Sequence, residues 1–585
     1  MKKILGCFDK KQKIYTALSV VLVTLQVWLD LKLPDYMSAI TILVETKGSS
    51  MSSIMEQGIY MLLCAVGSMG LSVAVGYFAA VVAAGLAKTL REMVFNKTMS
   101  FSLAEMNRFS TASLINRTTN DITQIQTLVS MGLQALIKAP VLAVWAVIKI
   151  SGKNWEWSVT TAVAVFILII MLASALIFAV PRFKKVQGLT DRLNRIIREH
   201  MTGIRVVHAY NAERYQENKF SDANDELTEN NLAANRVMAV MSPGMTLINS
   251  GLTLAVYWIG ASLIQNAGMD TRLQLFSDMV VFSNYAMQVI LAFMILNMIF
   301  ILLPRAQVSA RRIAEVLDTE NSLAEGGYRE HSGQAGEIEF ENVSFRYPDA
   351  AENVISDISF KVDKGETFAV IGATGSGKST LLQLIPRLYD ATKGCIKVDG
   401  VDVREYRSDE LNDRIGFIPQ KSILFSGTVM SNVKYGRSSR DIDEEDIRDA
   451  VSIAQGNEFV SKMDGGLSAA ISQSGTNVSG GQKQRLAIAR AIARRPEILV
   501  FDDSFSALDY HTDSELRKAL NENAGGQTKV IVAQRIGTIR HADKILVLEN
   551  GRAAGIGTHD ELMKTCSVYK EIALSQLSEE ELKNA

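Results

Sequence analysis

The chain has 585 residues, 48% of them hydrophobic and 21% charged, with a formal net charge of −1. So long and apolar a sequence, with a mean hydropathy of +0.12, excludes a single soluble core and predicts a membrane part joined to a soluble part. The near-zero charge gives no global basic field, so no nucleic-acid partner is expected. Cys7, Cys64, Cys395 and Cys566 are scattered without metal-site or disulfide-framework spacing, which suits a reducing cytoplasm.

Residues 1–13 place Ile4, Leu5 and Phe8 on one helical face among Lys2, Lys3, Lys10, Lys11 and Lys13. An interfacial elbow helix or a solvated basic tail would both read this way, and either marks a cytoplasmic N-terminus. No secretory leader is expected, because a polar segment follows Lys2 and Lys3 and the first apolar run lacks a small-residue cleavage site.

Apolar runs at about 14–33, 58–87, 128–150, 159–180, 239–264 and 278–303 each approach the roughly 20 residues that cross a bilayer. Pro34 is expected to bend or end the first, and Asp30 to face solvent or the interface, since a carboxylate at mid-bilayer costs about 2.5 kcal/mol or more. The linkers 47–57, 152–157 and 266–272 are short, whereas 88–127 and 181–237 are long and hold Arg91, Lys97, Arg108, Arg117, Arg182, Lys184, Lys185, Arg192, Arg195 and Arg198. That bias puts the long segments and the N-terminus in the cytoplasm, with Trp155 and Trp157 at the outer interface. The long segments keep helical spacing in Leu193, Ile196, Ile197, Ile204, Val206 and Val207, so the membrane helices should project beyond the bilayer. His208 has no second ligand at metal-site spacing and reads as a surface histidine. A stripe in the last span, including Phe282, Asn284, Tyr285, Met287, Gln288, Phe293 and Met294, would suit a promiscuous cavity, but a stripe at this spacing is more often core or lipid-facing.

The expected division is a transmembrane domain at 1–303, a linker at 304–336 containing Gly326-Gly327, and a soluble α/β domain at 337–585 with a helical subdomain near 423–479. In the soluble part the apolar run Phe368–Ile371 leads into Gly372-Ala373-Thr374-Gly375-Ser376-Gly377-Lys378-Ser379-Thr380 and then Leu381-Leu382. Strand, glycine-rich loop and helix in that order form a phosphate cradle. Amides and the helix N-terminus face the anion, Lys378 reaches the β and γ oxygens, and the Ser379 hydroxyl can hold Mg²⁺. A nucleoside triphosphate is the expected ligand.

Further groups follow in sequence. Tyr347 could stack on an adenine ring. Gln420 could reach Mg²⁺ and an attacking water. Ser479-Gly480-Gly481-Gln482 opens a helix and again offers amides to an anion. The buried run Ile498–Phe501 ends in Asp502, placed to hold Mg²⁺ through water, and Asp503, where a general base would stand.

In this order the chain resembles the ATP-binding cassette exporters whose membrane and nucleotide-binding domains are fused in one half-transporter. The resemblance rests on the phosphate loop, Gln420, Ser479–Gln482, Asp502 and the turn Ser506-Ala507-Leu508-Asp509, and it spans nearly the whole chain. It implies six transmembrane helices with cytoplasmic extensions, ATP with Mg²⁺, and two half-transporters joined head to tail, each ATP lying between one phosphate loop and the other signature. The stretches around Arg117 and Gly203 resemble segments that couple the membrane helices to the nucleotide domains.

Two positions depart from the family pattern. Asp503 stands where a glutamate is usual, and Gln534 where a histidine is expected. The shorter acid sets its carboxylate about 1 Å back from the water, a displacement that can cost about 100-fold, and the Gln534 amide can donate a hydrogen bond but carry no charge. The resemblance therefore implies a heterodimer. This chain's ATP turns over slowly, while its signature completes a fast site on a partner that supplies the glutamate and histidine. Amphipathic drugs, lipids or peptides are the expected cargo across the cytoplasmic membrane. A regulatory or channel subunit with ATP as structural ligand, and an importer, are alternatives.

Overall fold

The computed structural model describes residues 6–46, 48–151, 154–328, 336–523 and 526–576. The chain divides into two compact units: residues 1–99 with 112–318, and residues 100–111 with 319–585.

The first unit is helical. Its elements are α1 (Lys10–Glu45), α2 (Met51–Met99), α4 (Thr111–Asn116), α5 (Ile122–Ser151), α6 (Trp155–Thr202), α7 (Ile204–Ala209), α8 (Glu213–Ala239), α9 (Met241–Asn266) and α10 (Met269–Asp318). The label α3 is kept for Leu103–Phe109, which belongs to the second unit. Six helical stretches among the described residues are long and apolar enough to cross a membrane. With 49 residues, α2 spans about 70 Å, more than twice a hydrocarbon core of about 30 Å, as the projecting helices require. Val27, Leu31, Leu142, Ala146, Val256, Phe282 and Tyr285 make the shared core.

Several sequence expectations are corrected here. Pro34 does not end the first span; α1 continues to Glu45, and α10 likewise passes through Pro304 to Asp318. Asp30 does not face the solvent. It is half-buried between helices, accepts from Ser68 Oγ, and pairs with Lys138 at 3.2 Å. Asp35, one turn further, pairs with Lys149 at 2.6 Å and accepts from Tyr285 Oη at 2.5 Å. Two lysines inside an apolar span thus neutralise two carboxylates of another, which removes the cost of an isolated charge. Trp155 is exposed as an interfacial residue should be, but Trp157 is fully buried, with its ring 5.4 Å from that of Phe282. Phe282 and Tyr285 are core rather than cavity, whereas Met287 and Met294 are exposed. Ile4 and Leu5 lie outside the described residues; Phe8 is not helical, and Lys10 already opens α1. His208 is an exposed surface residue, its Nδ1 2.8 Å from Glu213 Oε1.

Between α4 and α5 the helix widens into a π-turn at Arg117–Asp121 that turns two charged side chains inward. Arg117 bonds the Arg312 carbonyl at 2.6 Å and Glu315 at 2.8 Å, and Asp121 accepts from Ser309 Oγ at 2.7 Å. Arg117 thus braces its own helical unit. The segment that joins the second unit is 100–111, on its N-terminal side.

The second unit is α/β. A four-stranded antiparallel sheet runs β2 (Ile355–Val362), β1 (Ile338–Phe345), β4 (Lys393–Val398), β5 (Val401–Asp402). A six-stranded sheet runs β12 (Arg552–Gly557), β11 (Lys544–Glu549), β3 (Thr367–Gly372), β10 (Thr528–Val532), β9 (Ile498–Asp502), β6 (Ile415–Ile418), parallel except for β12. Alternation along β3 sends Phe368 and Val370 to one core and Ala369 and Ile371 to the other. Its helices include α11 (Lys378–Leu384), α12 (Glu444–Ile453), α13 (Gly480–Ala493) and α14 (Tyr510–Asn523), with the two-stranded pair β7 (Gly427–Thr428) and β8 (Ala470–Ile471) in the helical subdomain.

Candidate functional site

The parallel strands β3, β9 and β10 end side by side, and their C-terminal ends carry the phosphate loop, Asp502-Asp503 and Gln534. Open parallel sheets place ligands at this edge because the loops there diverge.

The loop needs its glycines. A Cβ on Gly372 would stand 2.2 Å from the Leu548 carbonyl oxygen and 2.8 Å from Ser376 Oγ. Gly375 and Gly377 hold φ of +84° and +98°, conformations that strain any L side chain. Lys378 arches over the loop, its Nζ donating to the carbonyls of Gly372 and Ala373 at 2.8 Å each. Burial lowers its pKa, opposed by the charges of Asp503 and Asp502. Ser376 Oγ is buried with no hydrogen-bond partner among the described residues, and it lies inside the loop. A narrow backbone cradle, a spare buried hydroxyl and a lysine fit a polyphosphate.

Ser379 Oγ donates to Asp502 Oδ1 at 2.8 Å, so a hydroxyl and a carboxylate meet at the mouth of the loop. Burial raises the Asp502 pKa and the neighbouring Asp503 adds to it, while the Ser379 bond and Lys378 oppose. Hard oxygen donors in this number suit Mg²⁺ that is held jointly with phosphate oxygens. No group of three or more histidine, cysteine or acidic side chains placed to hold a metal occurs among the described residues.

Asp503 is buried and sits at φ +49°, its amide bonded to the Val532 carbonyl at 3.1 Å. Its Oδ2 accepts from Gln534 Nε2 at 2.7 Å and from Gln420 Nε2 at 3.2 Å. The structure therefore gathers Asp503, Gln534 and Gln420 about one oxygen. The strand ends are pinned from behind by Ser504, buried, whose Oγ donates to the Ile418 carbonyl at 3.1 Å; no sequence motif pointed to it.

Tyr347 is half-buried. Its hydroxyl lies 3.0 Å from Thr380 Oγ1 in α11, and its ring meets Tyr389 edge to face at 5.4 Å. The signature residues lie apart from this cluster by contact. Ser479 caps α13 in a reciprocal box, its amide donating to Gln482 Oε1 at 2.9 Å and its Oγ accepting from the Gln482 amide at 3.4 Å. Ser479 and Gly480 are exposed. The box uses the Ser479 and Gln482 amides, and the Gly480 and Gly481 amides lie between them in the first turn of the helix.

Two family comparisons match the chain. The ABC transporter transmembrane region matches residues 16–293, and the ABC transporter family matches residues 355–506. An ABC transporter ATP-binding protein of Mycobacterium tuberculosis is 39% identical over 88% of this chain and 86% of its own length. One of Bacillus subtilis is 36% identical over 86% of both. The ATP-dependent lipid A-core flippase of Pseudomonas fluorescens is 30% identical over 85% of this chain and 81% of its own. Among solved structures, a bacterial Atm1-family ABC exporter with ATP bound superposes with a TM-score of 0.81 at 22% identity, covering 97% of this chain and all of that one. Six membrane-capable helices followed by a cassette whose phosphate loop, Asp502 and signature helix stand as described make this chain a multi-pass membrane protein of the ABC transporter family, one that carries the transmembrane and ATP-binding regions in a single polypeptide.

Proposed function

We propose that the chain is one half of a heterodimeric exporter, and that its own phosphate-loop site holds Mg²⁺ and ATP but turns the nucleotide over slowly. The observation that carries this is the shared oxygen of Asp503, which accepts from both Gln534 and Gln420. A base must offer a lone pair to the attacking water. Here that oxygen is occupied by two amides, and the acid is a methylene shorter than glutamate. In this reading Lys378 and the loop amides bind the phosphates, Ser379, Gln420 and Asp502 hold Mg²⁺, and Tyr347 meets the base. The exposed Ser479 and Gly480, with the partly buried Gly481, face the nucleotide of a partner that carries its own glutamate and histidine. ATP binding closes the paired cassettes and turns the cavity outward; phosphate release resets it.

Amphipathic small molecules are the cargo class. The flippase relative from Pseudomonas fluorescens favours lipids within that class. The test is to purify the chain without a partner and follow its ATPase. A slow rate that Asp503→Ala barely alters is expected; a brisk rate that depends on Asp503 would reject the division of labour in favour of a homodimer.

A further inference from the structure

Three aromatic and polar side chains connect the base end of the nucleotide pocket to the segment 100–111, which the chain inserts into the cassette between α2 and α4. Tyr347 is tied to the phosphate-loop helix through Thr380 at 3.0 Å. Its ring packs against Tyr389 with an interplanar angle of 88°; Tyr389 is 6% exposed and closely packed, whereas Tyr347 is half-buried and open on its other side. The Tyr389 hydroxyl in turn accepts from Asn107 Nδ2 of α3 at 3.2 Å. The start of α3 is clamped separately: buried Glu105 accepts from the amides of Ser102 at 3.0 Å and Ser322 at 3.2 Å.

We propose that Tyr389 and Asn107 are positioning residues that pass occupancy of the base pocket to α3, and through its covalent neighbours to the membrane helices. The inference rests on the reading of Tyr347 as the residue that meets the base. A base seated on Tyr347 fixes that ring. The fixed ring holds Tyr389, and the Tyr389 hydroxyl then holds the exposed Asn107 amide, which otherwise exchanges its partner for water at little cost. The coupling is reciprocal, so a rearrangement of α3 alters how firmly the base is gripped.

The experiment is amide hydrogen exchange over residues 103–109 in the full chain, held in lipid nanodiscs, with no ligand, with ATP and with inorganic tripolyphosphate. In the native chain ATP slows exchange about fivefold, the worth of one neutral hydrogen bond, and tripolyphosphate, which lacks a base, does not. Y389F, which keeps the ring, and N107A each abolish the ATP-dependent slowing, while a fluorescent ATP analogue still binds, weakened by no more than the same factor of about five that reciprocity requires. The double variant does no more than either single one. Slowing that survives in both variants overturns the relay, as does equal slowing by tripolyphosphate. A change in exchange that is the same with and without nucleotide also overturns it, because a merely structural bond behaves so. If the native chain binds no ATP at all, the reading of the nucleotide site has failed first, and that result is distinct from binding without a response in α3.

Discussion

Gln534 Nε2 stands 2.7 Å from Asp503 Oδ2, so the amide that replaces a histidine is bonded to the acid that replaces a glutamate. The two departures form one pair. Restoring a single member would set a longer acid against an amide already in contact, or leave the short acid beside an imidazole. D503E and Q534H alone are therefore expected to raise turnover at this site less than tenfold, and the double variant about 100-fold, the cost assigned to a 1 Å misplacement. Single-turnover hydrolysis of ATP in the assembled transporter measures it, and additive single effects would contradict the pairing.

Gly480 heads α13, and a Cβ there would meet nothing within 4 Å. Gly480→Asp should fold without loss, since a carboxylate in the first helical turn suits the helix dipole. The same charge repels a phosphate brought to that turn. Expected is a melting temperature within about 2 °C of native and loss of nearly all ATPase in the assembled transporter, with ATP affinity at this chain's own loop unchanged.

Asp399 and Arg414 form a pair 2.6 Å apart with side chains 0% and 3% exposed, and Asp399 Oδ1 also accepts from the amides of Gly336 and Glu337. Asp399→Ala removes the closer of the two carboxylates that Arg414 meets, leaves Glu497 at 3.4 Å, and should cost about 3 kcal/mol, the low end for breaking a buried pair. Thermal denaturation of the detergent-solubilised chain should show cassette unfolding about 10 °C lower. Replacing both residues with apolar ones of similar volume should recover much of that.

Burial pushes the Glu105 carboxyl up, but hydrogen bonds from Ser102 and Ser322 outweigh it and hold the pKa below the ordinary glutamate value. Its folded value thus lies below its unfolded one of about 4.3, so the stabilisation is complete above that unfolded value and is lost as pH falls through the folded one. Protection of the α3 amides, corrected for intrinsic exchange, should hold from pH 7 to 5 and fall below about pH 4. Glu105→Gln should flatten the profile.

Local signals were legible where one short stretch makes its own geometry. The phosphate loop, the Ser479 cap and the apolar strand before Asp502 are such stretches, and the bond from Ser379 to Asp502 joins the residues that the motif reading had paired. The spans were readable because a bilayer demands length and apolarity together. What escaped depended on neighbours far along the chain. Pro34 read as a bend or an end, and the linker was set to begin at residue 304, yet the helices run through Pro34 to Glu45 and through Pro304 to Asp318. Asp30 read as exposed because its partner, Lys138, comes from another helix, although a lysine inside an apolar run was itself a signal of a buried countercharge. Trp157 lies two residues from the exposed Trp155, and its burial comes from neighbours distant in the chain, among them Phe282 and Gly260. The inward turn of Arg117 likewise left no mark in the sequence, because its partners, Glu315 and the Arg312 carbonyl, lie about 200 residues further on.

The cassette is discontinuous in the chain, because residues 100–111 are part of it while the remainder begins at Thr319. During biosynthesis that short piece leaves the ribosome well before the sheet it will join, and four further membrane crossings are laid down in between. The cassette can be finished only after membrane insertion has succeeded. A fragment expressed from Thr319 onward would leave the Tyr389 hydroxyl and the Ser322 amide without their Asn107 and Glu105 partners, so quality control over insertion is written into the soluble half itself.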